Sequence, residues 1–372
     1  MKKAVIVPDS FKGTVSSERI CEIFEEKISK IFPSCEVVKI PVADGGEGSV
    51  NCFLNALGGE RIAALVSGPY GEKIEAEYGI INGDTAVIEM AACAGLPLVE
   101  GRKNPLLTTT CGVGEMMLDA AKRGCKKIIM CLGGSCTNDM GAGAAAAVGV
   151  SFYNSKGESF VPTGGTLCEI EKIDVSEKNE LLKNIEITAM CDIDNPLYGI
   201  NGAAYVFAPQ KGADENQVKA LDDGLRHGAQ KVKTDMGADV SAVSGAGAAG
   251  GMGAGMIAFF GAELRSGIET VLDTVGFEKR IDGADFVFTG EGRLDSQSLR
   301  GKVVSGVAKR AKEKGVPVIA VAGGYEADLD EVYDMGVTAV FATNPLPVDF
   351  EAAKHKSEKN LAVTVENILR VL

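Results

Sequence analysis

The chain has no tryptophan and only two histidines in 372 residues. Both histidines, His227 and His355, lie in polar helical segments, DDGLRHGAQK and EAAKHKSEKN, and read as solvated surface residues. That scarcity argues against a histidine-based triad and against a histidine-ligated zinc. Basic charge is also short: 38 Lys and Arg stand against 51 Asp and Glu, a net charge of −13. That balance argues against a nucleic-acid partner, which needs a basic footprint. Long Leu/Ile-rich runs are missing as well. The longest apolar stretch, GAGAAGGMGAGMIAFFGAEL, is mostly Gly and Ala and makes a poor membrane span. The start, MKKAVIVPDS, runs straight into a strand and carries no signal-peptide h-region. The ten cysteines form no CxxC pair and no finger-like spacing with histidine, so they read as reduced, buried thiols of a cytoplasmic protein.

What the chain has in excess is glycine, 47 residues, placed where strands and helices end. Four apolar, strand-like runs close on glycine with an acid, hydroxyl or amide: KKAVIVPDSFKG, VVKIPVADGGEGS, KKIIMCLGGSCTND and FVFTGEGRLD. In parallel α/β proteins, ligands bind beyond the carboxyl ends of strands. Glycine lets backbone approach a ligand, and free N–H groups at a helix start hold anions. Four such endings predict an enzyme acting on a small, anionic, phosphorylated substrate.

The length allows two domains, each with its own core. At the start, AVIVP is a strand and SSERICEIFEEKISKIF is a helix, with apolar residues at 20, 23, 24, 28 and 31 and a cap from Ser16 or Thr14. VVKIPVA is the second strand. The last 90 or so residues repeat this alternation, with DFVFTG, VPVIAVAGG and TAVFATN as strands. The two ends are expected to share one doubly wound parallel sheet. The middle differs. Residues 60–90 read as short strands with turns at Gly68-Pro69-Tyr70-Gly71 and Asn82-Gly83-Asp84. A helix at GEMMLDAAKRG, a strand at IIMCL, a Gly/Ala helix, and strand-like EITAMCDI and AAYVFAPQ follow. The expected fold is therefore α/β, with residues 1–55 and 281–372 as one discontinuous domain. Residues 56–280 form an inserted mixed α/β domain, and the active site is expected in the cleft between the two.

Each motif offers specific chemistry. PDSFKG places Asp9, Ser10 and Lys12 at a strand edge, where the lysine could neutralise a phosphate or carboxylate. VADGGEGS puts Asp44 and Glu47 at a tight turn, suited to Mg²⁺ held partly through water or to a general base. LGGSCTNDMGAG offers Gly133, Gly134 and Ser135 as an anion cradle, with Asn138 nearby. CDIDNPLYG sets Asp192 and Asp194 two apart, on one face if the strand is still extended there. PQKGA supplies Lys211. SGAGAAGGMGAG contains a formal GxGxxG at Gly245, Gly247 and Gly250, but TDMGADVSAVS before it is a poor strand. A dinucleotide fingerprint therefore fails its context, and backbone contact with substrate or phosphate is the better reading. TGEGRLDSQSLRGK carries Glu291, Arg293 and Asp295, and Arg293 could fork onto a carboxylate or phosphate. Position 296 is Ser and position 303 is Val, so the Walker A pattern is absent.

In this order, PDSFKG, PVADGGEG, NPLLTTTCGVGE, LGGSCTNDMGAG, CDIDNPLYG with GAAYVFAPQKGA, SGAGAAGGMGAG and TGEGRLDSQSLRGK resemble the type-1 glycerate kinase family of bacteria. The resemblance runs from residue 2 to about 325. Cys111 and Cys136 depart from it, standing where an aromatic and an alanine are expected. The resemblance implies a Rossmann-like domain with an inserted domain, and ATP-dependent phosphorylation of D-glycerate with Mg²⁺. It favours the 2-position of glycerate; the charge and the apolar pattern, not the resemblance, give the expectation of no nucleic acid and no membrane partner. A homodimer is allowed for. On physical grounds the expected catalytic residues are Asp192 or Asp44 as base, with Lys12 and Arg293 on the glycerate carboxylate or the transferring phosphoryl group. Glu47 and Asp194 are expected to hold the metal. Asp9, Ser10, Gly133, Gly134, Ser135, Asn138, Lys211, Gly245, Gly247, Gly250, Glu291 and Asp295 are expected to contact substrate or phosphate. The rival readings are a kinase for another small hydroxy acid and a catalytically inactive metabolite sensor on the same scaffold.

Overall fold

A computed structural model describes residues 1–42, 46, 48–294, 302–326, 330–345 and 350–372. Its strands are β1 Lys3–Pro8, β2 Glu36–Lys39, β3 Glu60–Ser67, β4 Lys73–Ile81, β5 Thr85–Glu89, β6 Lys127–Cys131 and β7 Ser151–Tyr153. They continue as β8 Ser159–Phe160, β9 Lys172–Asp174, β10 Glu186–Met190, β11 Glu263–Arg265, β12 Phe286–Leu294, β13 Val318–Tyr325 and β14 Val337–Ala342. The fold is α/β. The chain divides into two compact units. One comprises Met1–Asp44, Asn51–Leu57 and Ser266–Leu372; the other comprises Gly45–Val50 and Gly58–Arg265.

The first unit holds a five-stranded sheet in the order β14-β13-β12-β1-β2, all parallel. The chain moves outward from β1 to β2 on one side and from β12 to β14 on the other. The strand order therefore reverses between β1 and β12, the switch point where open parallel sheets bind ligands. Near-continuous burial of β1 and β12 suits strands covered on both faces. The helix Ser17–Ile31 lays Ile20, Ile23, Phe24 and Ile28 on one side of the sheet, where the Phe24 ring lies 5.2 Å from that of Phe288. Ser16 caps this helix by accepting from the Arg19 N–H. Pairing with β1 continues past β2, since the N–H groups of Ile40 and Val42 donate to Ile6 and Pro8 carbonyls.

Residues 266–280, given to the inserted domain by the sequence pattern, lie with the terminal unit. They form helices Gly267–Val275 and Phe277–Arg280. Half-buried Arg310, on the helix Val303–Glu313, draws them in. Its guanidinium lies 3.2 Å from Glu269 and 2.8 Å from Asp273 and also pairs with Glu278. The helix Gly267–Val275 has a clear apolar period, burying Ile268, Val271, Leu272 and Val275, but a period does not say which unit a helix packs on.

The second unit holds a six-stranded sheet, β11-β10-β6-β5-β4-β3. It is parallel from β11 to β5 and antiparallel across β5, β4 and β3. Asn82 and Gly83 both take positive φ in the turn joining β4 to β5, as a tight hairpin turn demands. A small antiparallel sheet, β8-β7-β9, completes the unit. AAYVFAPQ is not a strand: Ala203–Phe207 is a helix, followed by a 3₁₀ turn Pro209–Lys211. Five apolar residues are too few to show a period, and only burial of Ala203, Ala204 and Ala208 with Val206 exposed reveals the helical face. The helix Ala248–Phe260 is interrupted at Ala249, Gly250 and Gly251, all at positive φ.

Candidate active site

In the terminal unit, the register pairs Pro8 of β1 with Gly290 of β12. Two of the sequence motifs therefore end side by side. The Asp9 N–H donates to the Gly290 carbonyl at 2.9 Å, and the Ser10 N–H donates to Asp9 Oδ1 at 2.7 Å. Phe11 and Val15 then bridge, so a tight turn through Lys12 and Gly13 separates β1 from its helix. A Cβ on Gly292 would sit 3.4 Å from the Phe11 Cα, so the two motifs are in backbone contact. Lys12 is exposed and Asp9 and Ser10 are half-buried, whereas Glu291 is buried. Arg293 reaches out of the strand end and pairs with Glu326 at 3.4 Å. The switch point thus gathers Asp9, Ser10, Lys12, Glu291 and Arg293. Asp44, Glu47 and Asp295 lie outside the described residues.

In the inserted unit, Cys131 of β6 pairs with Met190 of β10 and with Glu89 of β5. The turns after these strands share one sheet edge. The turn after β6 forms one isolated bridge, Gly95 with Ser135, with the Leu96 N–H donating to Gly134 and the Cys136 N–H to Ala94, and side chains satisfy more of its backbone. Thr108 Oγ1 donates to the Cys136 carbonyl at 3.0 Å. Lys211 Nζ donates to the Thr137 carbonyl at 2.6 Å and to Ser135 Oγ at 2.9 Å. Asp139 accepts from the Thr110 N–H and hydroxyl, both at 2.8 Å, and from the N–H groups of Gly141 and Gly143. Burial raises the Asp139 carboxyl above the ordinary range, against the pull of these four donors. Burial lowers Lys211 to about 8, with Cys136 and Asp139 acting the other way. Thr137 Oγ1 and both polar atoms of the Asn138 amide are buried without a hydrogen-bond partner.

Asp192 and Asp194 follow β10 on the same edge, and both are exposed. The strand ends at Met190, so strand alternation does not set their common direction. Their loop is fixed from outside instead. The Cys191 N–H donates to the Arg265 carbonyl at 2.8 Å, and the Gly247 N–H donates to the Asn195 carbonyl at 3.0 Å. Buried Asp222, on the helix Glu215–Met236, accepts from the Gly199 N–H at 2.7 Å.

Two of the motifs are more buried than their sequence suggests. Lys211 is 2% exposed and donates to protein oxygens at Ser135 and Thr137. Gly245, Gly247 and Gly250 face protein atoms: a Cβ at 247 would lie 2.3 Å from the Pro196 carbonyl oxygen, and one at 250 would lie 2.0 Å from that of Thr137. The N–H groups of 246, 247, 248 and 251 already bond within the protein. The close approaches at 247 and 250 admit no side chain there. Gly133 and Gly134 do reach the surface, half-buried and exposed, and Gly134 takes φ 78°. His227 is half-buried, its Nε2 2.7 Å from the Ile170 carbonyl oxygen, rather than fully solvated.

The sequence reading missed three groups. Thr108 and Thr110 come from a segment with no acid or base to draw attention. Glu89 Oε1 accepts from the Val50 N–H at 2.7 Å. An acid closing the apolar run TAVIE was its only signal.

A model of the glycerate kinase family matches residues 4–372. The chain belongs to the glycerate kinase family. A glycerate kinase of Bacillus cereus is 48% identical over 371 residues, spanning 99% of this chain and 97% of that one. A protein of Escherichia coli K12 named glycerate 2-kinase is 46% identical over 342 residues, spanning 91% and 90%. A crystal structure from Salmonella typhimurium LT2, carrying the name glycerate kinase 2, superposes with a TM-score of 0.88 at 39% identity, covering 100% of this chain and 98% of that one. Cys136 lies in the turn after β6, and Cys111 begins the helix Cys111–Lys122 beside it. Burial pushes the Cys136 thiol up to about 12, so it serves there as a small apolar side chain. Among the described residues no helix is long and apolar enough to cross a membrane.

Proposed function

We propose that this chain transfers the γ-phosphoryl group of ATP to D-glycerate by direct in-line displacement, giving 2-phosphoglycerate. The observation that carries the reading is a family match over residues 4–372, joined to acid- and glycine-bearing turns at the carboxyl ends of parallel strands. The 2-position is supported by the name of the Escherichia coli relative, 46% identical to this chain.

Phosphoryl transfer needs positioning and charge neutralisation more than covalent chemistry. Asp192, exposed at the end of β10, is the preferred base for the attacking hydroxyl, with Asp44 as the alternative. Lys12 and Arg293 are the cations for the glycerate carboxylate and the transferring group. The surface glycines 133 and 134 are the proposed backbone contacts for nucleotide phosphate.

Mg²⁺ takes hard oxygen donors and keeps several waters, so one or two carboxylates beside nucleotide phosphates suffice. Among the described residues no group of three or more Asp, Glu, His or Cys forms a protein-only cage. Exposed Asp194 makes no ion pair among the described residues and fits the sparse donor set. Asp194 with Glu47 would hold the ion, which when bound neutralises charge on the phosphates.

The test is ADP production from ATP and Mg²⁺ with D-glycerate, coupled through enolase without and with phosphoglycerate mutase. Signal with enolase alone is expected. Signal that needs the mutase moves the product to the 3-position, and no glycerate-dependent ADP from folded protein removes the reading.

A further inference from the structure

Two buried ionisable side chains serve the turn after β6, Lys211 from the 3₁₀ turn Pro209–Lys211 and Asp139 from the turn itself, with no ion pair between them among the described residues. Asp139 is satisfied by four donors, as described above. Lys211 donates two of its three protons, to one main-chain carbonyl and one hydroxyl oxygen at 2.6 and 2.9 Å. Carbonyl oxygens are the ligands that replace the hydration shell of alkali cations in proteins. The geometry points to Lys211 as a positioning residue, its ammonium acting as a tethered monovalent cation that holds the turn after β6 in shape for phosphoryl transfer. The word transfer rests on the glycerate kinase reading above; the holding of the turn does not.

The placement supports this over a packing role. A buried ammonium is costly, and an apolar side chain of similar length would avoid that cost. An apolar replacement would leave the Thr137 carbonyl and the Ser135 hydroxyl unpaired, next to Thr137 Oγ1 and the Asn138 amide, which already lack partners. The lysine arrives on a 3₁₀ turn, Pro209–Lys211, that ends at Gly212 with φ 98°. A Cβ at 212 would lie 2.7 Å from the Lys103 carbonyl oxygen, so this turn is itself fixed against another segment. With its value lowered only to about 8, Lys211 keeps its charge at neutral pH.

The test uses the full chain with Lys211→Met, Lys211→Ala and Ser135→Ala. Lys211→Met is expected to lower kcat about 100-fold, the cost of a displacement of order 1 Å in a positioning group. Amide hydrogen exchange without ligands should quicken at residues 132–141 and stay unchanged in β1 and β12. Lys211→Ala should recover turnover on addition of propylammonium, which restores the missing methylenes and the charge. Wild-type kcat in Lys211→Met overturns the proposal. So does a Lys211→Ala variant that propylammonium cannot rescue while residues 132–141 exchange as in wild type, which would assign the lysine to the substrate. Ser135→Ala removes one of the two oxygens and serves if the lysine variants fail to fold. Faster exchange at 132–141 with a smaller fall in kcat supports the proposal, and unchanged exchange there overturns it. Exchange is read without substrate, so it decides the holding role even where wild type itself shows no glycerate-dependent ADP.

Discussion

Asp192 and Lys211 lie in the same unit and carry opposite kinds of evidence. Asp192 is exposed on a strand-end loop braced by hydrogen bonds at Asp222, Asn195 and Arg265. Asp192→Asn should lower kcat by about 10²–10⁴, the usual range for a lost general base, with an unchanged circular dichroism spectrum. Near-wild-type turnover would remove Asp192 as the base. Lys211 has a folded value of about 8 against an ordinary 10.5. Below pH 8 both folded and unfolded chains hold its proton, and its burial cost is constant. Between about 8 and 10.5 the unfolded chain keeps a proton that the folded chain has released. Stability therefore rises with pH across that window through this group, by at most about 3 kcal/mol at 1.4 kcal/mol per unit. Urea midpoints of wild type and Lys211→Met from pH 7.5 to 10.5 measure it. The wild type should gain on the variant as pH rises, and parallel curves would show that the lysine is not desolvated.

Elements were legible where an apolar run was long enough to show its period. β1, β6, β10 and β12, with the acids and glycines that close them, follow from the sequence pattern, and so does the helix Ser17–Ile31 with its cap at Ser16. What the pattern could not carry is partnership across the chain. Nothing in NPLLTTTCGVGE says that Thr110 will serve Asp139, and nothing in PQKGA says that its lysine will be buried. The glycine run at 245–251 shows the same limit, since a glycine that admits a ligand and one that admits backbone look alike in sequence. Gly250 has φ 71° and no room: a Cβ would lie 2.0 Å from the Thr137 carbonyl oxygen. Gly237 ends the helix Glu215–Met236 at a similar φ of 74°, but a Cβ there meets nothing within 4 Å. Alanine at 237 should cost about 1–2 kcal/mol from left-handed backbone alone. Alanine at 250 should cost roughly a further 1–3 kcal/mol from overpacking, and should also quicken exchange at 137–138. Equal losses in urea titrations of the two variants would mean that the close approach at 250 does not constrain the turn.

Across the whole molecule, burial rather than cross-linking protects the thiols. All ten cysteines are free. Cys168 is exposed; Cys35, Cys111 and Cys191 are partly covered; the other six are buried. Burial raises the thiols of Cys21, Cys93, Cys125 and Cys136, and desolvation raises Cys111 as well, so little thiolate exists at neutral pH to react. A native titration with an aromatic disulfide reagent should show one fast equivalent, from Cys168, and up to three slower ones. The remaining six should appear only as the chain opens, at a rate set by local or global unfolding. Cys111 begins the helix Cys111–Lys122 next to Thr110, whose N–H and hydroxyl both serve Asp139. Its labelling rate is therefore a local gauge of the turn after β6. In Lys211→Met the Cys111 phase should quicken while the fast Cys168 phase stays constant. Quickening of all phases together would instead report a global loss of stability, and would separate a misplaced turn from a merely weakened fold.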